Sequence, residues 1–331
     1  MLLEKYRYVH FPPTIFPNII VDPDKCKGCK ICVNSCPTSC LQWDERKRKP
    51  VPTSLGGMSL ACIACNNCEA VCPENAIKAI GFYFVTKGRY KTDKGKYGNM
   101  SYPFNKSEDK LYELDEELNE VEKVIFKRRS VRLFSDKPVE KEKINRILEA
   151  GRFAPSAGNC QPYKFLVVTN RKINEEIDIK CSRVLYKIKN LYVIRSKLKK
   201  TIVYILSYIS PGKWDQRPIA AMEKVQQLGG VITFKAPVVI HILKDVRGIS
   251  EPDIDVGIVA QNIVLSAHSL GLGTCIIGFI PSAVPFLPSV KKLLGIKYPY
   301  KLSLSIAVGY PKVRYDNRYV SRGKIPIEYI S

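Results

Sequence analysis

Histidine is scarce in this chain. His10, His241 and His268 are the only three in 331 residues, and none has a nucleophile motif beside it. His268 lies in an apolar helical stretch and reads as a hydrogen-bonded core residue rather than an acid catalyst. Long hydrophobic runs are also missing. Thr201 to Ile209 falls short of the roughly 18 to 20 residues of a membrane span, and Gln227 to Leu243 is broken by Lys235 and Pro237. The opening MLLEKYRYVHFPP has no apolar signal-peptide core. These absences predict a cytoplasmic protein with no membrane span. Acids are few beside bases, 31 against 53, for a net charge of +22. Such a surplus invites nucleic acid, yet no zinc-finger or RNA-binding signature accompanies it. It reads as a solvated basic surface with no nucleic-acid partner. With 45% apolar residues over this length, two domains with separate cores are expected.

Cysteine, by contrast, is plentiful at twelve, and its spacing carries chemistry. Residues 26–37 read CKGCKICVNSCP and residues 62–73 read CIACNNCEAVCP, so C-x2-C-x2-C-x3-C-P occurs twice. Three close thiolates can wrap one iron cubane while the fourth crosses to the other. Cys26, Cys29, Cys32 and Cys72 are therefore expected on one 4Fe-4S cluster, and Cys62, Cys65, Cys68 and Cys36 on the second. Zinc is the alternative at paired cysteines, but two complete runs ending in proline favour clusters. The stretch resembles bacterial two-cluster ferredoxins over about residues 15–85, with a longer link from Pro37 to Ala61. Cys40 in that link, and the isolated Cys160, Cys181 and Cys275, read as packed thiols.

From Thr86 to Glu120 the text turns rich in glycine, lysine and acid, as a linker or covering loop would. Regular patterning then returns. Val139–Gly151 reads as a helix stopped by Gly151, Phe165–Val168 as a strand and Pro237–Leu243 as another. Asp255–Leu270 reads as a long, mostly buried helix, Thr274–Ile280 as a buried strand and Leu302–Val308 as a last strand. Gly271 and Gly273 end the long helix. They are no dinucleotide fingerprint, which would follow a strand and open a helix.

FKRRSVRLF at 126–134 and APSAGNCQPYKFLVV at 154–168, followed by DVGIVAQNIVLSAHSLGLGTCIIGFI at 255–280, resemble the nitroreductase family of FMN proteins. The resemblance spans about residues 121–331. It implies that Arg128, Arg129, Ser130 and Arg132 grip the flavin phosphate and ribityl chain. Pro155, Ser156, Ala157, Asn159 and Gln161 would lie along the flavin, and Gly278 at its N5 edge. Arg322, with Arg318 as competitor, would complete the phosphate site, and the long helix would build a homodimer. Guanidinium groups and close-approaching backbone amides suit a phosphate. The lysine-rich stretch at about 171–234 would be an inserted cap, with Trp214, Asp215 and Arg217 as substrate contacts.

The expected fold class is α+β: a nitroreductase-like FMN-binding α/β sandwich (121–331) behind a ferredoxin-like iron-sulfur domain (1–85), joined through residues 86–120. The expected function is that of an anaerobic oxidoreductase. An external ferredoxin or similar low-potential donor would feed two 4Fe-4S clusters and FMN, which would reduce a small-molecule acceptor: a nitroaromatic, a quinone or an activated alkene. The alternatives are a dehydrogenase exporting electrons through the clusters and a non-catalytic electron-transfer subunit.

Overall fold

The structure is a computed structural model that describes residues 14–15, 17–55, 58–59, 62–81, 84–85, 100–192, 198, 201–202, 205–206, 217–249, 251–315, 319–323 and 327–330. Trp214, Asp215 and Arg318 lie outside them, as do residues 86–99 of the expected linker. Contacts divide the chain into two units. Residues 1–118, 187–224 and 315–331 form one, and residues 119–186 and 225–314 form the other. Among the described residues no helix is long and apolar enough to cross a membrane.

The first unit is built on the cysteine repeat. Strand β1 (Asn18–Val21) precedes the first run, which contains the short helix α1 (Ile31–Ser35). The hairpin of β2 (Leu41–Asp44) and β3 (Lys49–Pro52) fills the long link. Helix α2 (Asn67–Ala70) lies in the second run, and β4 (Ile77–Ile80) returns to pair antiparallel with β1. The repeat is conformational as well as chemical. Gly28 and Ala64, Lys30 and Asn66, and, just past the runs, Ser39 and Asn75 hold matching places, and all six have positive φ. Non-glycine residues adopt that region only when their surroundings impose it, so each run turns its backbone inward the same way.

In the second unit, α3 (Glu120–Lys127) opens with a reciprocal cap between Asn119 and Glu122 and delivers Arg128 at its C-terminal end. Helix α4 (Lys141–Arg152) leads through a short loop to β5 (Tyr163–Val168). The basic insertion supplies helices α5 (Arg171–Tyr192), whose last turns fall in the first unit, and α6 (Arg217–Gln227), which lies mostly in the first unit. Then follow β6 (Val238–Asp245), α7 (Pro252–Ser269), β7 (Gly273–Ile277), α8 (Phe279–Ala283) and β8 (Tyr300–Gly309). The sheet order is β5-β6-β8-β7, antiparallel throughout. Its core packs α4 and α7 on the sheet through Ile147, Ile240, Ile242, Ile263 and Ile306, all fully buried. Each contributes roughly 1.5 to 3 kcal/mol by leaving water.

Three sequence expectations are corrected. Gly151 does not stop α4, which runs on to Arg152. A Cβ there would come within 2.8 Å of Ile263, so this glycine lets α4 and α7 approach closely. The strand expected to reach Ile280 ends at Ile277, and residues 279–283 coil into α8. A short apolar run does not by itself distinguish strand from helix. Finally, α7, expected to be mostly buried, buries one face: Ile254, Gly257 and Gln261 form an exposed stripe flanked by half-buried Ile258 and Leu265. Its end is as expected, with Gly271 at φ +75° and Leu272 N–H donating back to Ala267 C=O at 2.9 Å.

Candidate functional site

In the first unit the eight cysteines of the two runs fall around two cavities. One is lined by Cys26, Cys29, Cys32 and Cys72. The other is lined by Cys36, Cys62, Cys65 and Cys68, together with Cys40. Each set therefore takes three cysteines from one run and one from the other. The larger electrostatic contributions follow the same division, with Cys32 adding a smaller repulsion on Cys68 across it. Burial, then repulsion from Cys29 and Cys72, pushes the Cys32 thiol up to about 12. Burial, then Cys65, Cys36 and Cys62, raises Cys68. Several thiolates crowded in a dry pocket repel one another unless a cationic centre compensates them, so four-sulfur donor sets of this kind fit iron-sulfur clusters.

Other groups brace these loops without having been singled out in the sequence. Lys49, inside the run DERKRK, donates to the carbonyls of Pro23 (2.6 Å) and Cys26 (2.5 Å) and so pins the start of the first run. Lys224 Nζ donates to Val33 C=O at 3.2 Å. Only the tertiary fold shows which lysines turn inward. Arg322 is placed in this unit too. Its two-residue strand pairs with Met100–Ser101, Asn66 Nδ2 donates to Ser321 Oγ at 2.7 Å, and Cys65 is an electrostatic neighbour of its guanidinium.

In the second unit the arginine segment runs along the β7 edge of the sheet. Ser130 bridges Thr274, and Val131 N–H donates to Thr274 C=O at 2.8 Å. Burial, then the charges of Arg128, Arg129 and Lys127, hold His268 below its ordinary pKa. Cys275 is raised by burial, against which Arg132 and Ser130 act. The positive charge of this segment thus gathers where α7 ends and β7 begins, an arrangement that fits an anionic phosphate. Gly278 lies exposed just beyond β7, and a Cβ there would meet no atom within 4 Å.

Residues 155–161 lie at the opposite edge, leading into β5. The loop is closed on itself: Gln161 N–H donates to Ser156 Oγ at 3.0 Å and Gln161 Nε2 to Asn159 Oδ1 at 3.2 Å. Gly158, Asn159 and Gln161 all have positive φ, and Pro155, Asn159 and Gln161 are exposed. Asp255, buried in the first turn of α7, anchors the loop by accepting from Ala157 N–H at 3.3 Å. Asp255 and His268 stand thirteen residues apart on α7, roughly 20 Å at the helical rise of 1.5 Å per residue. Within one chain, then, Arg128, Arg129, Ser130 and Arg132 come together, as do Pro155, Ser156, Ala157, Asn159 and Gln161. The two groups do not meet.

Fold and site describe a cysteine-rich unit whose donor sets fit iron-sulfur clusters and a mixed α/β unit whose arginine segment fits a phosphate. The nitroreductase family model matches residues 125–310, more than half the chain, and a 4Fe-4S dicluster domain matches residues 25–76. The chain belongs to the nitroreductase family and is an oxidoreductase with an iron-sulfur domain. It is 26% identical over 199 residues, 60% of its length and 90% of the relative's, to an Archaeoglobus fulgidus protein provisionally named NADH dehydrogenase/NAD(P)H nitroreductase. A Staphylococcus aureus NADPH-dependent oxidoreductase is 22% identical over 207 residues, covering 62% and 70% of the two chains. Among solved structures, a nitroreductase with bound FMN from Desulfitobacterium hafniense aligns with a TM-score of 0.49 at 24% identity, covering 65% of this chain and all of that one.

Proposed function

We propose that the protein is an iron-sulfur flavoprotein of anaerobic metabolism. It would take electrons from a low-potential donor such as ferredoxin and deliver them to a small organic acceptor: a nitroaromatic, a quinone or an activated alkene. The observation that carries this reading is the sorting of eight cysteines into two crossed four-sulfur sets in a chain of the nitroreductase family. When bound, the clusters supply one-electron transfer and FMN couples single electrons to a two-electron reduction.

The chain's own residues divide the remaining work. Cys26, Cys29, Cys32 and Cys72 hold one cluster, and Cys36, Cys62, Cys65 and Cys68 the other. Arg128, Arg129, Ser130 and Arg132 neutralise and orient the flavin phosphate through charge-assisted hydrogen bonds. Pro155, Ser156, Ala157, Asn159 and Gln161 border the ring, with Gly278 leaving room for close approach. Arg322, whose neighbours in the cysteine-rich unit are Ser101, Ser321 and Cys65, remains the candidate to complete the phosphate set. Since the arginine group and the 155–161 loop lie at opposite ends of α7, one complete flavin site draws on two copies of the chain. The exposed stripe of Ile254, Gly257 and Gln261 on α7 supports a homodimer in which a second copy brings its loop to the first copy's arginines.

Anaerobic purification with iron, sulfide and flavin analysis tests the reading. About eight iron atoms and one FMN per chain are expected, and stopped-flow mixing should show reduction by reduced ferredoxin. Rapid bleaching of the flavin by NADPH alone would replace the ferredoxin-driven scheme with direct use of nicotinamide.

A further inference from the structure

The two sites share the same four-cysteine pattern, but only one has a further sulfur beside it. Four residues beyond the last cysteine of each run stands Ala76 in one case and Cys40 in the other. At the first site, Ala76 contributes a backbone N–H that lies 3.3 Å from Cys72 Sγ, and its side chain is a methyl group. At the second, Cys40 Sγ lies 3.4 Å from Cys36 Sγ, and Cys40 lines the same cavity as Cys36, Cys62, Cys65 and Cys68. Cys40 is 3% exposed. Its carbonyl is held twice by Thr53, from N–H at 2.8 Å and from Oγ1 at 3.1 Å, so the backbone that presents the thiol is anchored.

We propose that Cys40 is a positioning and tuning residue for one cluster only: its S–H donates to the Cys36 sulfur and raises that cluster's reduction potential above its partner's. The inference rests on the reading that both cavities hold clusters. An iron-bound Cys36 is a thiolate and can only accept, so the hydrogen of the 3.4 Å contact lies on Cys40. A hydrogen bond to a cluster sulfur favours the reduced, more negative state. The Ala76 methyl offers no such bond. One thiol thereby separates two otherwise similar one-electron centres and gives the pair an order of filling. A packed, inert thiol, the reading from sequence alone, has no such effect.

The test is a redox titration of the anaerobically purified full chain, monitored by electron paramagnetic resonance, in wild type, Cys40→Ala and Cys40→Ser. Cys40→Ala installs the residue the other site already carries, so it is compatible with this loop. The expected result is full iron and sulfide content with one midpoint lowered. The oxidised-to-reduced ratio of that centre at fixed potential should change about tenfold, or about 59 mV for a one-electron couple. Cys40→Ser, which keeps a donor, should restore most of the separation. Unmoved midpoints with both clusters full would overturn the proposal. So would loss of one cluster's iron in Cys40→Ala, which would make Cys40 a ligand. Wild type with iron for fewer than two clusters would instead bring down the underlying reading, and this inference with it.

Discussion

The backbone amide of Val131 donates to the carbonyl of Thr274 at 2.8 Å, and the Val131 side chain fills the space that a Cβ on Gly273 would enter at 2.7 Å. The arginine segment is thereby stitched to the β7 edge at the one residue that leaves room for it. Gly273→Ala should therefore push Val131 off the strand at a cost of about 1 to 3 kcal/mol. Chemical denaturation should show the loss, and flavin content after gel filtration should fall with it. A variant as stable and as yellow as wild type would show that the segment finds its place without Gly273.

The separation of the two groups proposed to contact the flavin makes a test by subunit mixing possible. Arg132→Ala and Asn159→Ala should each abolish most flavin binding when homodimeric. Co-refolded in equal amounts, they should recover up to about a quarter of wild-type activity, because half the dimers are hybrid and each hybrid has one intact site. Absence of recovery would place both residues in a site made by a single chain.

Replacing Cys62 and Cys65 with serine should remove one cluster, lowering iron by about half. FMN should remain bound, since the arginine and 155–161 segments belong to the other unit. Reduced ferredoxin should then no longer bleach the flavin, a result readable by iron assay and stopped-flow absorbance on the same sample.

Asp178 gives a pH signature. Burial raises its carboxyl to about 6 although Thr233 donates to it from N–H at 3.1 Å and Oγ1 at 2.7 Å. Its folded pKa exceeds the ordinary 3.8, so the folded state binds the extra proton and stability is lost as pH rises from about 4 to 6. The loss is about 3 kcal/mol, the size of this shift, and is complete above pH 6. Subtracting the stability curve of Asp178→Asn from that of wild type should isolate the slope; parallel curves would contradict it.

The 4Fe-4S dicluster domain was legible in the chain because most of its cysteine pattern is local. Cysteines three and four residues apart stay close in any fold, and a twice-repeated run predicts a twice-repeated site. Helical periodicity likewise placed α7 within a few residues of its true limits, since a buried face recurs every three to four positions whatever it packs against. The short apolar run around Gly278 was misread for the converse reason: it is too brief to show a period.

Sequence by itself determined the cysteine pattern, the family's arginine and 154–168 motifs, and the two long helices and four strands of the second unit's core. Tertiary structure decided what depends on neighbours distant in the chain. It put Gly151 against Ile263, tied Ala157 to Asp255, set Arg322 beside Cys65, and brought a fifth sulfur to Cys36. It also held the arginine segment and the 155–161 loop apart on opposite edges of one sheet. Spacing along a chain reports only which residues are near by covalent connection, whereas packing chooses among the many ways distant segments can bury their apolar faces.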